Sequence, residues 1–216
     1  MIDFEITRFP IIIVCSPRTG STALLLHLAN KYKLNNFGEI FMGIKDIMHS
    51  SSKIKEDILN DRKKYFDLRK KDDPNFVLKI MPKEINAFSS YDNLLQTNCY
   101  KIKLFRKSVI DQIASLYIAQ HTRKFHTYDN EVHENYDVEI NKIELIDCIE
   151  SITHSNFLCD KLPYSYDSEI AYEDLQFIPN TYGTTRKSNH TYTHKPNNYV
   201  ELCDSIRKLI PSEKRE

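Results

Sequence analysis

At 216 residues, 41% of them hydrophobic, the chain is long enough to bury the core of one α/β domain over 1–216 without staples. Thirty basic and thirty acidic residues cancel, which excludes a global field that would recruit nucleic acid or an anionic membrane, so any anion site must be local. Five widely spaced cysteines without a CxxC pair point away from zinc and from a disulfide framework, and towards a reducing compartment. No apolar run approaches the ~20 residues of a membrane helix, and Asp3 and Glu5 stand where a signal peptide carries its basic end. A soluble, cytoplasmic protein is the expectation.

The first predicted element is Ile11 to Cys15, a continuous apolar run of the kind found in a parallel strand covered on both faces. Ser16-Pro17-Arg18-Thr19-Gly20 then breaks the strand, and a helix rich in leucine begins at Ser21-Thr22. A helix N-terminus there supplies unpaired N–H donors and the positive end of the helix dipole, a ready site for phosphate or sulfate. Arg18 and the hydroxyls of Thr19, Ser21 and Thr22 add to it. The turn is not a Walker A loop, because no lysine separates Gly20 from Ser21.

Asn35 to Gly43 reads as a loop holding two of the four glycines, with Glu39 between apolar neighbours as a half-buried carboxylate. Residues Ser50 to Asp73 read as a solvated helix. Phe76 to Met81 is a second buried strand, whose Lys79 needs an anion or a route to the sheet edge, and whose strand end faces the ligand crevice. Tyr100 to Phe105 is a third strand, with Arg106 just beyond it. Ser108 to Asp111 matches a capping box for a helix running to Gln120, on which Ser115 lies ~10 Å from the start.

Residues His121 to Glu139 have no clean period and are expected as an excursion over the site. Its His121, His126 and His133 lack the spacing of helical metal ligands, so no metal is expected. Ile140 to Ile152 reads as a helix buried through Ile143, Ile146, Ile149 and Ile152, Ser168 to Leu175 as a last strand, and Asn198 onwards as a terminal helix. The expected fold is α/β, with a central parallel sheet of about four to five strands flanked by helices.

Ser16 to Thr22 after an apolar strand resembles the 5′-phosphosulfate-binding loop of the sulfotransferase superfamily, whose donor is 3′-phosphoadenosine 5′-phosphosulfate (PAPS). The segment Leu104 to Gln120 resembles that superfamily's 3′-phosphate segment, in which an arginine ending a strand and a serine on the next helix hold the 3′-phosphate. The nine-residue step from Arg106 to Ser115 is closest to the bacterial trehalose sulfotransferase type. The resemblance implies a single P-loop-like domain that binds PAPS through Arg18, Thr19, Gly20, Ser21, Thr22, Arg106 and Ser115. Arg186 and Lys187, in a short basic loop, match an Arg-Lys pair that reaches the same phosphate in several members.

The implied reaction moves a sulfuryl group from PAPS to a hydroxyl of a carbohydrate or another small acceptor, without a metal. Arg18 is expected to stabilise charge on the leaving phosphate, and Lys79 to assist the moving group. For the base, cytosolic members have a histidine where this chain has Met81, and the trehalose type has a glutamate that Glu39 matches in order and position. His121 and His126 are the alternative bases. Two other readings stand beside this one. A P-loop-like nucleotide kinase would prefer ATP with magnesium, and a non-catalytic module would bind adenosine 3′,5′-bisphosphate without turnover.

Overall fold

A computed structural model describes residues 6–39, 71, 74–82, 95, 98–123, 136–177 and 195–210. Its elements are β1 (Ile11–Cys15), α1 (Ser21–Lys31), β2 (Asn35–Gly38), β3 (Phe76–Ile80), β4 (Tyr100–Phe105), α2 (Val109–Thr122), α3 (Lys142–Lys161), β5 (Ser168–Ala171), a 3-10 helix at Tyr172–Phe177, and α4 (Tyr199–Leu209). The five strands form one parallel sheet in the order β2-β3-β1-β4-β5.

β1 therefore occupies the centre, and its unbroken apolar run has a direct cause. Ile11, Ile13 and Cys15 pack under Leu24, Leu25 and Leu28 of α1, while Ile12 and Val14 join Phe76, Leu78, Ile80 and Cys159 of α3 on the other face. A strand covered on both sides has no position for a polar residue. The chain leaves β1 towards β2 and leaves β4 towards β5, so strand order reverses between β1 and β4. In an open parallel sheet such a reversal leaves a crevice at the carboxyl ends.

The helices begin where their caps dictate. Ser108 Oγ accepts from Asp111 N at 3.2 Å to start α2, and Asn141 Oδ1 accepts from Ile143 N at 2.9 Å and Glu144 N at 3.4 Å to start α3. A third core joins α2, α3 and α4 through Ile113, Tyr117, Leu145, Ile152, Leu202 and Ile206. All five cysteines are buried and unbridged. No helix among the described residues is long and apolar enough to cross a membrane.

Four expectations are corrected. Asn35–Gly38, read as loop, is an edge strand, too short and too polar to carry a strand pattern. α3 is longer than expected and buries Leu145, Cys148, Ile152, Ser155 and Cys159, while Ile143 is 73% exposed and Ile146 37%. At ~100° per residue a fixed step of three turns each successive side chain by ~60°, whereas alternating steps of three and four hold one face. The last strand stops at Ala171, and Tyr172–Phe177 form the 3-10 helix. The ends of the stretch 121–139 are not excursion: His121 and Thr122 close α2, and Val138 is buried in the third core. Residues 124–135 and, apart from Lys71, the expected helix at 50–73 lie outside the described residues.

Candidate functional site

The turn after β1 carries two left-handed residues, Arg18 at φ 65° and Gly20 at φ 72°. Gly20 is the N-cap of α1, and it has no side chain with which to cap the helix. α2 and α3 each spend a side chain on their first-turn amides, whereas α1, like α4, has no side-chain cap; of these two, α1 presents its positive end at the carboxyl edge of the central strand. The glycine is required twice over. A Cβ there would stand 2.6 Å from the Tyr172 ring, and an L side chain resists this φ.

On the β4 side three expected residues meet. Arg18 Nε donates to Ser115 Oγ at 3.0 Å, and Arg106 Nη1 lies 3.5 Å from the Arg18 carbonyl oxygen. Arg106 and Ser115, expected to grip one anion from two elements, are thus joined through Arg18. Arg106 is buried, with its guanidinium 4.6 Å from the centroid of Tyr172 and its Nε 3.9 Å from Glu173 Oε1. Glu173 also accepts from the backbone N–H of Lys107 at 3.0 Å, which ties the 3-10 helix to the end of β4.

On the β3 side Lys79 Nζ donates to Thr22 Oγ1 at 2.8 Å and forms an ion pair with Glu39 Oε1. The two charged side chains are 8% and 10% exposed, so this is a buried pair. Glu39 Oε2 is buried too and has no hydrogen-bond partner among the described residues. An orphan carboxylate oxygen beside an uncapped helix start is available to accept a proton or a hydroxyl from a ligand.

A β-bulge aims Glu39 at Lys79. Asn36 pairs with Val77, but Gly38, not Phe37, pairs with Leu78, with Gly38 at φ 59° and its N–H donating to Asn36 Oδ1 at 2.8 Å. Phe37 stacks on Phe76 on the α3 face, with ring centroids 4.4 Å apart. In a regular ladder Glu39 would oppose Ile80 on that same apolar face. The extra residue shifts the register by one, brings Glu39 level with Lys79, and turns its carboxylate to the α1 face.

The turn is also held from inside. Thr19 is fully buried and its hydroxyl donates to the Ser16 carbonyl at 2.9 Å, so its side chain faces the protein and only its backbone is left for a ligand. Gln112, 0% exposed, donates from Nε2 to Ser16 Oγ at 2.7 Å and to the Pro17 carbonyl at 2.6 Å, and its Oε1 accepts from Asn156 Nδ2 at 3.1 Å. Sequence reading missed the roles of Tyr172, Glu173, Gln112 and Asn156. A signal existed for one of them: Ser108, Gln112, Ser115 and Ala119 form a polar or small stripe at helical spacing on an otherwise apolar helix.

A cavity of about 280 Å³ opens beside the end of β4, lined in part by Ser16, Arg106, Lys107 and Asn156. A larger depression, about 650 Å³, is lined by α3 residues from Asp147 to Phe157 and, among the described residues, shares none with the site. His121 lies in the last turn of α2, exposed, with its ring centroid 6.3 Å from that of Tyr117. Arg186, Lys187, His126 and His133 lie outside the described residues. No family model and no curated protein matches this chain.

Proposed function

We propose that the protein is a sulfotransferase that moves the sulfuryl group of PAPS to a hydroxyl of a small acceptor, with carbohydrate the favoured class. One observation carries the reading. Glu39, expected as the base, and Lys79, expected at the moving group, come from strands forty residues apart and form a buried pair that reaches Thr22 at the start of the anion-binding helix.

In this reading the 5′-phosphosulfate lies on the α1 amides and Arg18, and the 3′-phosphate lies towards Arg106 and Ser115. The acceptor enters over β2 and β3. Its oxygen forms the new S–O bond as the bond to the 5′-phosphate breaks, and the electron pair leaves on the phosphate oxygen. Glu39 Oε2 takes the acceptor's proton. Charge on the leaving phosphate meets Arg18 and the helix end, as electrostatic stabilisation requires. A nucleotide-sensing module is the second reading, favoured by the engagement of Glu39 Oε1 with Lys79.

Calorimetry tests the binding half. Adenosine 3′,5′-bisphosphate should bind more tightly than ATP with magnesium, and Arg106→Ala should weaken the bisphosphate by ~1.5–3 kcal/mol, the worth of a hydrogen bond to a charged group. The reverse preference would make the protein a kinase-like ATP binder. Labelled PAPS, offered with a panel of sugars and phenols, then separates the enzyme from the sensor.

A further inference from the structure

Gln112, fully buried, touches the anion-binding turn at two atoms and is itself held by a third element. The Pro17 carbonyl only accepts hydrogen bonds, so the Gln112 nitrogen must face it, and the Gln112 oxygen must then face away from the turn. That oxygen meets Asn156 Nδ2 of α3 at 3.1 Å. The amide orientation is therefore fixed at one end by the Pro17 carbonyl and held at the other by Asn156, which links α3 to Ser16 and Pro17, immediately before the left-handed Arg18. A left-handed backbone at a residue other than glycine persists only where its surroundings over-determine it.

We propose that Gln112, oriented by Asn156, is a positioning residue that holds the Ser16–Gly20 turn in its anion-binding shape. The relay touches no reacting atom. It fixes the carbonyl of Pro17, so that Arg18 turns towards Ser115 and the amides ahead of α1 converge. Its ligand consequence rests on the sulfotransferase reading above, whereas the order it imposes on the turn does not.

Two variants of Asn156 test it, since Asn156 lies at the rim of the cavity and not in the core. Asn156→Ala removes one of the two restraints on the Gln112 amide and leaves the Pro17 carbonyl as the other. Asn156→Asp keeps the shape but offers only acceptors, which draw the Gln112 nitrogen away from Pro17. Asp should therefore be the worse substitution, weakening adenosine 3′,5′-bisphosphate about tenfold or more against a few-fold loss for Ala. A residue that only fills space would give the opposite order, and that order overturns the proposal. Gln112→Glu adds a pH signature. Its carboxylate repels the Pro17 carbonyl, but its protonated form donates to it. The ratio of variant to wild-type Kd, taken at each pH so that the ligand's own titration cancels, should fall as pH drops from 8 to 5.5; a flat ratio overturns the relay.

Amide hydrogen exchange of the unliganded protein keeps the two readings apart. Exchange in a peptide spanning residues 16–22 should rise more in Asn156→Asp than in Asn156→Ala, with β5 unchanged as reference. If wild type fails to bind the bisphosphate while this order holds, the donor reading falls and the relay stands. If wild type binds and both variants exchange like wild type, the relay falls alone.

Discussion

Glu39 and Lys79 form a buried pair, and a buried pair reacts to substitution by what each change leaves behind. Glu39→Ala leaves the Lys79 ammonium with Thr22 as its only partner named above, and removal of one partner from a buried ion pair costs ~3–5 kcal/mol. Glu39→Gln keeps an acceptor for Lys79 and should cost much less, which makes it the cleaner test of chemistry. If Glu39 accepts the acceptor's proton only as the sulfuryl group leaves, its contribution belongs to the transition state. The Gln variant should then hold bisphosphate affinity nearly constant and lower acceptor-dependent sulfation by ~10²–10⁴-fold. Turnover at the wild-type rate would reduce Glu39 to a structural partner of Lys79 and make the exposed His121 the next base to test.

Two short elements hold the charged groups in place, and each turns on a glycine. Gly38 and Gly20 both have positive φ, but a Cβ on Gly38 would find its nearest atom 3.9 Å away, while one on Gly20 would meet the Tyr172 ring at 2.6 Å. Gly38→Ala should therefore cost only the backbone term, ~1–2 kcal/mol, and Gly38→Asn less, because asparagine tolerates the left-handed region. Gly20→Ala should add an overpacking cost of ~1–3 kcal/mol, and Asn should not relieve it. Urea unfolding of the four variants checks this: equal losses at the two sites would mean that Tyr172 does not press on the turn. Gly38→Ala should also lower turnover by more than its stability loss explains, because the bulge is what turns Glu39 to the α1 face.

Across the whole molecule, the sheet and the helical layer are tied near the site by α2. Tyr199 of α4 donates to Asp111 Oδ1 at 2.6 Å in the first turn of α2, two residues beyond its start and close behind Arg106. Burial alone would push the Asp111 carboxyl up, but the hydroxyls of Tyr199 and Ser108 and the charge of Arg106 hold it below its ordinary 3.8. A depressed carboxylate contributes stability above its unfolded value and loses it as pH falls through the lower folded value. Tyr199→Phe should accordingly cost the lower end of the ~1.5–3 kcal/mol of a charged hydrogen bond at pH 7, since Asp111 is only half-buried. The gap to wild type should close below about pH 4. Denaturant titrations of both proteins at pH 7 and pH 3 measure it, and a gap that stays constant would deny the bond its charge.

Much of this arrangement was written into short stretches of sequence. Ile11 to Cys15 announced a strand covered on both faces, and Ser108 with Asp111 announced the start of α2, because burial on two faces and capping depend on residues within a few positions of one another. Lys79 within an apolar run signalled an anion or a route to the sheet edge, without deciding between them. The rest depended on contacts between distant segments. Asn35–Gly38 becomes a strand because β3 offers it a parallel edge, and its bulge settles which face receives Glu39. Tyr172–Phe177 leave the sheet for a 3-10 helix, where Tyr172 meets Gly20 and Arg106 and Glu173 binds the amide after β4. α3 buries the face that repeats in steps of three and four, and Arg18 reaches Ser115 across ninety-seven residues. Residue patterns carry the local periodicity of a chain, but the partner of a buried charge is chosen only when strands from remote parts of the sequence are set side by side.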